Sequence, residues 1–98
     1  MTIKQTKDGN KLTISVEGMI DTNTSPQLAE VVKTSLGGIK FLTFDFAKVD
    51  YISSAGLRVL LLAQKIMDKQ GDMCVKNVCE NVMHVFELTA FDQILDIK

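Results

Sequence analysis

Phe41-Leu42-Thr43-Phe44-Asp45-Phe46-Ala47-Lys48-Val49-Asp50-Tyr51-Ile52-Ser53-Ser54-Ala55-Gly56-Leu57-Arg58 passes from an apolar segment, through a polar loop with two adjacent serines, into a helical pattern. The Phe41–Phe46 run is short and nearly all apolar, which predicts a strand buried on both faces or nearly so. Beyond the serines, Val59, Leu62, Ala63 and Ile66 form one helical stripe, widened near its start by Leu57, Leu60 and Leu61. The helix extends to about Gln70, and its end (Gln64, Lys65, Asp68, Lys69, Gln70) is mostly polar. It is therefore expected to begin deep in the domain and emerge into solvent. A helix start carries free N–H groups and roughly half a positive charge, so a serine there caps the helix or carries a phosphate without breaking the fold. Capping is the plainer of the two readings. Gly56 falls in the first turn, where glycine costs stability relative to alanine and permits close backbone approach.

Working outward toward the N-terminus, Lys11–Glu17 alternates, with Leu12, Ile14 and Val16 on one face and Thr13, Ser15 and Glu17 on the other. Asp8-Gly9-Asn10 supplies a tight turn before it, and Thr2–Thr6 reads as a polar edge strand completing a hairpin. Ser25 then Pro26 predicts a helix start with serine as the cap. Leu28, Val31, Val32 and Leu36 recur at helical spacing until Gly37-Gly38 ends the helix. Strand, helix and strand in succession imply a right-handed crossover with parallel pairing. Toward the C-terminus, Gly71-Asp72 turns into a strand, Met73–Lys76. A third helix carries Val82, Val85 and Phe86 on one face, and Ile94–Ile97 reads as a last short strand. This is an α/β pattern: a mixed sheet opened by a hairpin, then βα units with helices packed on the sheet.

Composition narrows the functional classes. The chain has 98 residues, 11 Lys+Arg against 12 Asp+Glu, and a net charge of −1. That length fits one domain, residues 1–98, and that charge gives no footprint for nucleic acid or an anionic membrane. The longest apolar run, Val59–Ala63, is far short of the roughly 18 residues a membrane span needs. Residues 1–20 alternate like strands rather than like a signal peptide. Cys74 and Cys79 make neither a disulfide scaffold nor a zinc motif, so a reduced, cytoplasmic setting is expected, with Cys74 in the core. No glycine-rich phosphate loop or paired metal-ligand spacing is present, so no cofactor or metal is expected. The one histidine, His84, falls opposite the Val82/Val85/Phe86 face and is expected in solvent, which leaves a serine nucleophile without a base. No catalytic residue is expected, and the five methionines read as scattered gap-fillers.

Three stretches, in order, resemble the STAS domain of the anti-sigma factor antagonist family. They are Glu17-Gly18-Met19-Ile20-Asp21 with Thr22–Leu28, the Phe44–Leu57 strand and loop, and Val78–Phe91 with Val-Phe-Glu-Leu-Thr inside it. Aligned by Ser-Ala-Gly-Leu, the resemblance places Ser54 at the phosphoacceptor position. Ser53 replaces the acidic residue usual before it and is the second candidate acceptor, although a helix cap suits it better. Asp21 is most like the family's loop aspartate near the acceptor, and its plain structural role would be an Asx-turn before Ser25. Asp45 and Asp50 flank the strand exit and read as organisers of the loop. Arg58, the chain's only arginine, stands where many members have glycine, as does Ala90 where a helix-ending glycine is common. Arg58 would neutralise a phosphate, pair with an acidic partner, or simply solvate its face.

The resemblance implies a bacterial regulatory module whose partner-binding residues are Asp21, Ser53, Ser54, Ala55, Gly56 and Arg58. The unphosphorylated form would bind an anti-sigma factor that is also a serine kinase, releasing a sigma factor. Phosphorylation of Ser54 would end that binding and a serine phosphatase would restore it. The module would act as a monomer or weak dimer, with no direct nucleic-acid contact and no membrane insertion. The alternative is a non-switching STAS subunit of a larger assembly, resembling the small component of bacterial lipid-transport ATPases.

Overall fold

Leu12, Ile14 and Val16 are buried while their neighbours in sequence are not, so the second strand presents one face to a core and the other outward. A computed structural model describes residues 1–98 and shows how the rest is arranged around that strand. The elements are β1 (Thr2–Asp8), β2 (Lys11–Glu17), α1 (Ser25–Ser35), β3 (Phe41–Lys48), α2 (Ser54–Asp68), β4 (Asp72–Lys76) and α3 (Glu80–Leu88). A short 3₁₀ turn, Phe91–Gln93, follows. The sheet order is β1-β2-β3-β4. β1 and β2 pair antiparallel through the Gly9-Asn10 turn, whereas β2/β3 and β3/β4 pair parallel. This is the expected mixed sheet: a hairpin, then crossovers through α1 and α2. The edge strand β1 runs two residues past Thr6, closing the hairpin at Asp8 and Lys11.

Register explains the core. Leu12, Leu42 and Met73 stand side by side across three strands, as do Ile14, Phe44 and Val75, and all six are buried. With Leu28 and Val32 of α1, Leu60, Ala63 and Met67 of α2, and Val82 and Phe86 of α3, they form one cluster of 23 buried side chains. Phe44 and Phe46 meet edge to face at 6.0 Å, a geometry worth about 0.5–1.5 kcal/mol beyond the area buried.

Two expectations about this layer are corrected. β3 is buried on one face only: Leu42, Phe44 and Phe46 point inward, while Phe41 is exposed and Thr43 and Asp45 are half-buried. The core-forming residues of β2, β3 and β4 lie on the same side, so the run's apolar density reflects Phe41 turned outward. Cys74 follows the same alternation and lies half-buried on the outer face, its Sγ 3.6 Å from Thr43 Oγ1, not in the core.

Other differences lie at element ends. The cap position of α1 is Thr24, not Ser25, and its side chain makes no capping bond. Ser25 is instead the first helical residue, 4% exposed, with its hydroxyl donating to the Asp21 carbonyl. α2 does not rise into solvent as its polar tail suggested: Gly56, Leu60, Ala63 and Met67 make a continuous buried stripe, while Leu62 and Ile66 are half-buried. Past its end, Gln70 Nε2 donates to the Leu36 and Ile39 carbonyls at 2.6 and 2.7 Å, tying α2 to the end of α1. The Ile94–Ile97 strand reduces to one parallel bridge between Val75 and Ile97.

Candidate functional site

The loop before α1 and the loop before α2 are stitched together beyond the end of the sheet. Ile20 N–H donates to Tyr51 O at 3.0 Å, Ser53 N–H donates to Ile20 O at 2.8 Å, and Ile20 and Ile52 form a parallel bridge. Both isoleucines are buried, which anchors the two loops to the core. The chain residue after Ile20 is Asp21, and the one after Ser53 is Ser54. The two segments singled out in the sequence therefore meet at one corner of the fold.

Within this corner the two serines differ. Ser53 is the N-cap of α2, half-buried in extended backbone (φ −94°, ψ 175°), and its hydroxyl accepts the Gly56 N–H at 3.4 Å. Ser54 is the first helical residue and exposed, and its side chain makes no hydrogen bond within the chain. Capping and availability are thus divided: Ser53 satisfies an amide of the first turn, and Ser54 leaves a free hydroxyl beside the positive end of a 15-residue helix. Ala55 is half-buried. Gly56 is buried, and a Cβ there would lie 2.6 Å from Ile20 Cγ2 and 2.7 Å from Ile52 Cγ1. Glycine is what lets α2 start directly against the stitched loops.

Asp21 holds the neighbouring loop as an Asx-turn. Its Oδ1 accepts the Asn23 N–H at 2.9 Å and the Thr24 N–H at 3.0 Å. Thr24 Oγ1 accepts the Asp21 N–H at 2.9 Å, and shares its own proton between Met19 O (2.8 Å) and Asp21 Oδ1 (3.1 Å). The Thr24 amide, more than any other partner, holds the Asp21 carboxyl below its ordinary pKa. Asp45 does similar work where β3 leaves the sheet. It accepts from Asn77 Nδ2 at 3.0 Å and Ala47 N at 3.1 Å, and the Asn77 bond is the main reason its pKa is lowered. Asp50 is exposed and makes no hydrogen bond or ion pair.

Arg58 lies on α2, exposed and without an ion pair; the two pairs present are Lys48–Glu17 and Lys98–Asp96. His84 is exposed on α3, as its position opposite the buried face implied. Sequence reasoning missed two exposed apolar side chains at this corner, Met19 (52%) and Tyr51 (47%). Met19 is no gap-filler, unlike the buried Met67 and Met73. The signal was present: Met19 and Tyr51 each precede an isoleucine turned into the core, and alternation sends them outward. The largest cleft, 610 Å³, lies elsewhere, between the starts of β3 and β4 and residues 94–98, and none of the serines lines it. No group of His, Cys, Asp or Glu side chains is placed to hold a metal ion.

A four-stranded mixed sheet with helical crossovers, and an exposed serine where the second crossover helix starts, places the chain in the α/β class. The profile of the STAS domain matches residues 2–98, and the chain belongs to that family. It is 31% identical over 99 residues to BtrV of Bordetella bronchiseptica, whose name assigns it to the anti-sigma factor antagonists; the match spans 99% of this chain and 85% of the relative. An anti-sigma factor antagonist from Mycobacterium paratuberculosis has the same fold, with a TM-score of 0.89 at 22% identity, over 98% of this chain and 83% of that one. So does the Bacillus cell fate determinant SpoIIAA in its phosphorylated form, with a TM-score of 0.77 at 14% identity over 99% and 91% of the two chains.

Proposed function

We propose that this chain is an anti-sigma factor antagonist, controlled by phosphorylation of Ser54. In the unphosphorylated form it binds an anti-sigma factor that is also a serine kinase, and so frees a sigma factor in the bacterial cytoplasm. The observation that carries this reading is the division of labour between the serines: Ser53 caps α2, which leaves the Ser54 hydroxyl exposed and unbonded. Around it, Met19 and Tyr51 supply apolar contact area and Arg58 an unpaired charge. Exposed apolar side chains beside an unpaired charge suit a protein-docking patch. Asp21 and Gly56 shape the patch from beneath, one by fixing the α1 loop and the other by close packing.

In the phosphorylation step, Ser54 Oγ attacks the γ-phosphorus of ATP. An Oγ–P bond forms, the bond to the β-phosphate oxygen breaks, ADP leaves, and the hydroxyl proton passes to a base of the kinase. Hydrolysis by a separate phosphatase restores the serine. The product carries about −1.5 to −2 charges at pH 7. At a helix N-terminus that charge is tolerated by the domain itself, so its effect falls on the interface, through desolvation and repulsion. Ser53 fits this role without the usual acidic neighbour, because serine caps a helix about as well as aspartate and adds no negative charge beside the phosphate. Ser54 acts here as substrate rather than catalyst: no base is hydrogen-bonded to it, and the only histidine lies exposed on α3.

The test is intact-mass spectrometry of the chain and of Ser54→Ala after incubation with ATP and kinase-active lysate of the native host. One phosphoryl group gained by the wild type and absent from Ser54→Ala is the expected result. A gain that persists in Ser54→Ala moves the site, with Ser53 the first candidate. No gain, with the lysate active on a control substrate, overturns the switch and leaves a fixed STAS subunit.

A further inference from the structure

Ser54 and Arg58 are four residues apart on one helix, both exposed. Side chains at that spacing lie one above the other on the same helix face, with Cβ atoms roughly 5–6 Å apart. Every Cα–Cβ bond of a helix tilts toward its N-terminus, so the Arg58 side chain leans toward Ser54 and not away from it. The guanidinium has no competing partner, since neither ion pair in the chain involves it. The other charged groups at this corner are of the wrong sign or already engaged: Asp21 and Asp50 are acidic, and Lys48 is 3.1 Å from Glu17.

From this we infer that phosphorylated Ser54 is clasped by Arg58 of the same helix, as an intrachain phosphate–guanidinium pair. The inference rests on the reading of Ser54 as phosphoacceptor and adds to it a regulatory consequence. In the unphosphorylated form Arg58 is free to meet a carboxylate of the partner. Phosphorylation then changes the patch twice, by placing a phosphate in its centre and by withdrawing its only arginine to the rim of that phosphate. Arginine suits this role because its planar fork matches two phosphate oxygens at once, which lysine does not.

The pairing is testable without any kinase or partner. Phosphoserine is introduced at position 54 during synthesis, in the wild-type background and in Arg58→Gln and Arg58→Lys, and the second ionisation of the phosphate is followed by ³¹P NMR against pH. A nearby guanidinium stabilises the dianion, so Arg58→Gln is expected to raise that pKa by about 0.3 unit, with Arg58→Lys in between. The difference is expected to shrink as salt is added. Amide spectra of the three proteins verify that the exposed substitutions leave the fold intact. Equal phosphate pKa values in all three would overturn the clasp. That result would leave phosphorylation of Ser54 untouched, and failure of phosphorylation by the host kinase would leave the clasp measurement standing.

Discussion

A Cβ on Gly56 would press into two buried isoleucines, whereas a Cβ on Gly71 would lie 2.0 Å from the Lys40 carbonyl oxygen, which accepts the Asp72 N–H. The first conflict is relieved by shifting side chains and the second only by moving backbone. Gly56→Ala is therefore expected to destabilise by about 1–2 kcal/mol, overpacking offset in part by alanine's better helix propensity. Gly71→Ala should cost about 3 kcal/mol or more. Urea midpoints of the two variants check the order, and equal midpoints would contradict it. Asp21 adds a pH dependence. Its folded pKa lies below the ordinary 3.8, chiefly because of the Thr24 amide, so the unfolded chain takes up that proton first on acidification. Its contribution is whole above the unfolded value and is lost as pH falls through the lower folded one. Stability of Asp21→Ala should fall less steeply than wild type between about pH 4 and pH 2, read from urea midpoints at each pH. Equal slopes would show that the Asx-turn does not hold the loop.

The ends of elements carry the next set of consequences. α3 stops at Leu88, and Ala90 beyond it adopts φ +61°, the left-handed conformation that favours glycine. The departure noted in the sequence, alanine where a helix-ending glycine is common, is thus paired with the conformation that alanine resists. Ala90→Gly is expected to stabilise the protein by about 1 kcal/mol and raise Tm by about 5 °C. A lower Tm in a thermal melt would contradict this. At this scale much was legible: β2 alternates so cleanly that its bounds, Lys11–Glu17, follow from the residues, and α2 is apolar enough to be legible as a helix, although it ends at Asp68 rather than near Gln70. What was not legible depended on partners distant in sequence. The Phe41–Phe46 run does not encode how many layers of helix the sheet receives, so it does not reveal that only one of its faces is buried. Nor could the polar residues around Met67 reveal that this side chain still reaches the core. Ser25-Pro26 has the form of a cap and first helical residue, but the Asx-turn of Asp21 starts the helix a residue early.

Over the whole molecule, the sheet order and the two parallel crossovers bring two loops, some thirty residues apart in sequence, to a single corner. The serine pair was legible as a helix start, and the family resemblance drew attention to Ser54. The patch around it was not, because Met19 and Tyr51 gain meaning only once Ile20 and Ile52 are seen bridged side by side. In the proposed function the switch lies on the surface of a fold that stays intact: charge at Ser54 should end partner binding without loosening the core. Calorimetric titration of the host's anti-sigma factor with wild type, Ser54→Ala and Ser54→Asp tests this most directly, alongside thermal melts of all three. Wild type and Ser54→Ala should bind alike, and Ser54→Asp on the order of 30-fold or more weaker, corresponding to about 2 kcal/mol or more at a desolvated interface, with an unchanged melt. Binding of Ser54→Asp as tight as wild type would contradict the account.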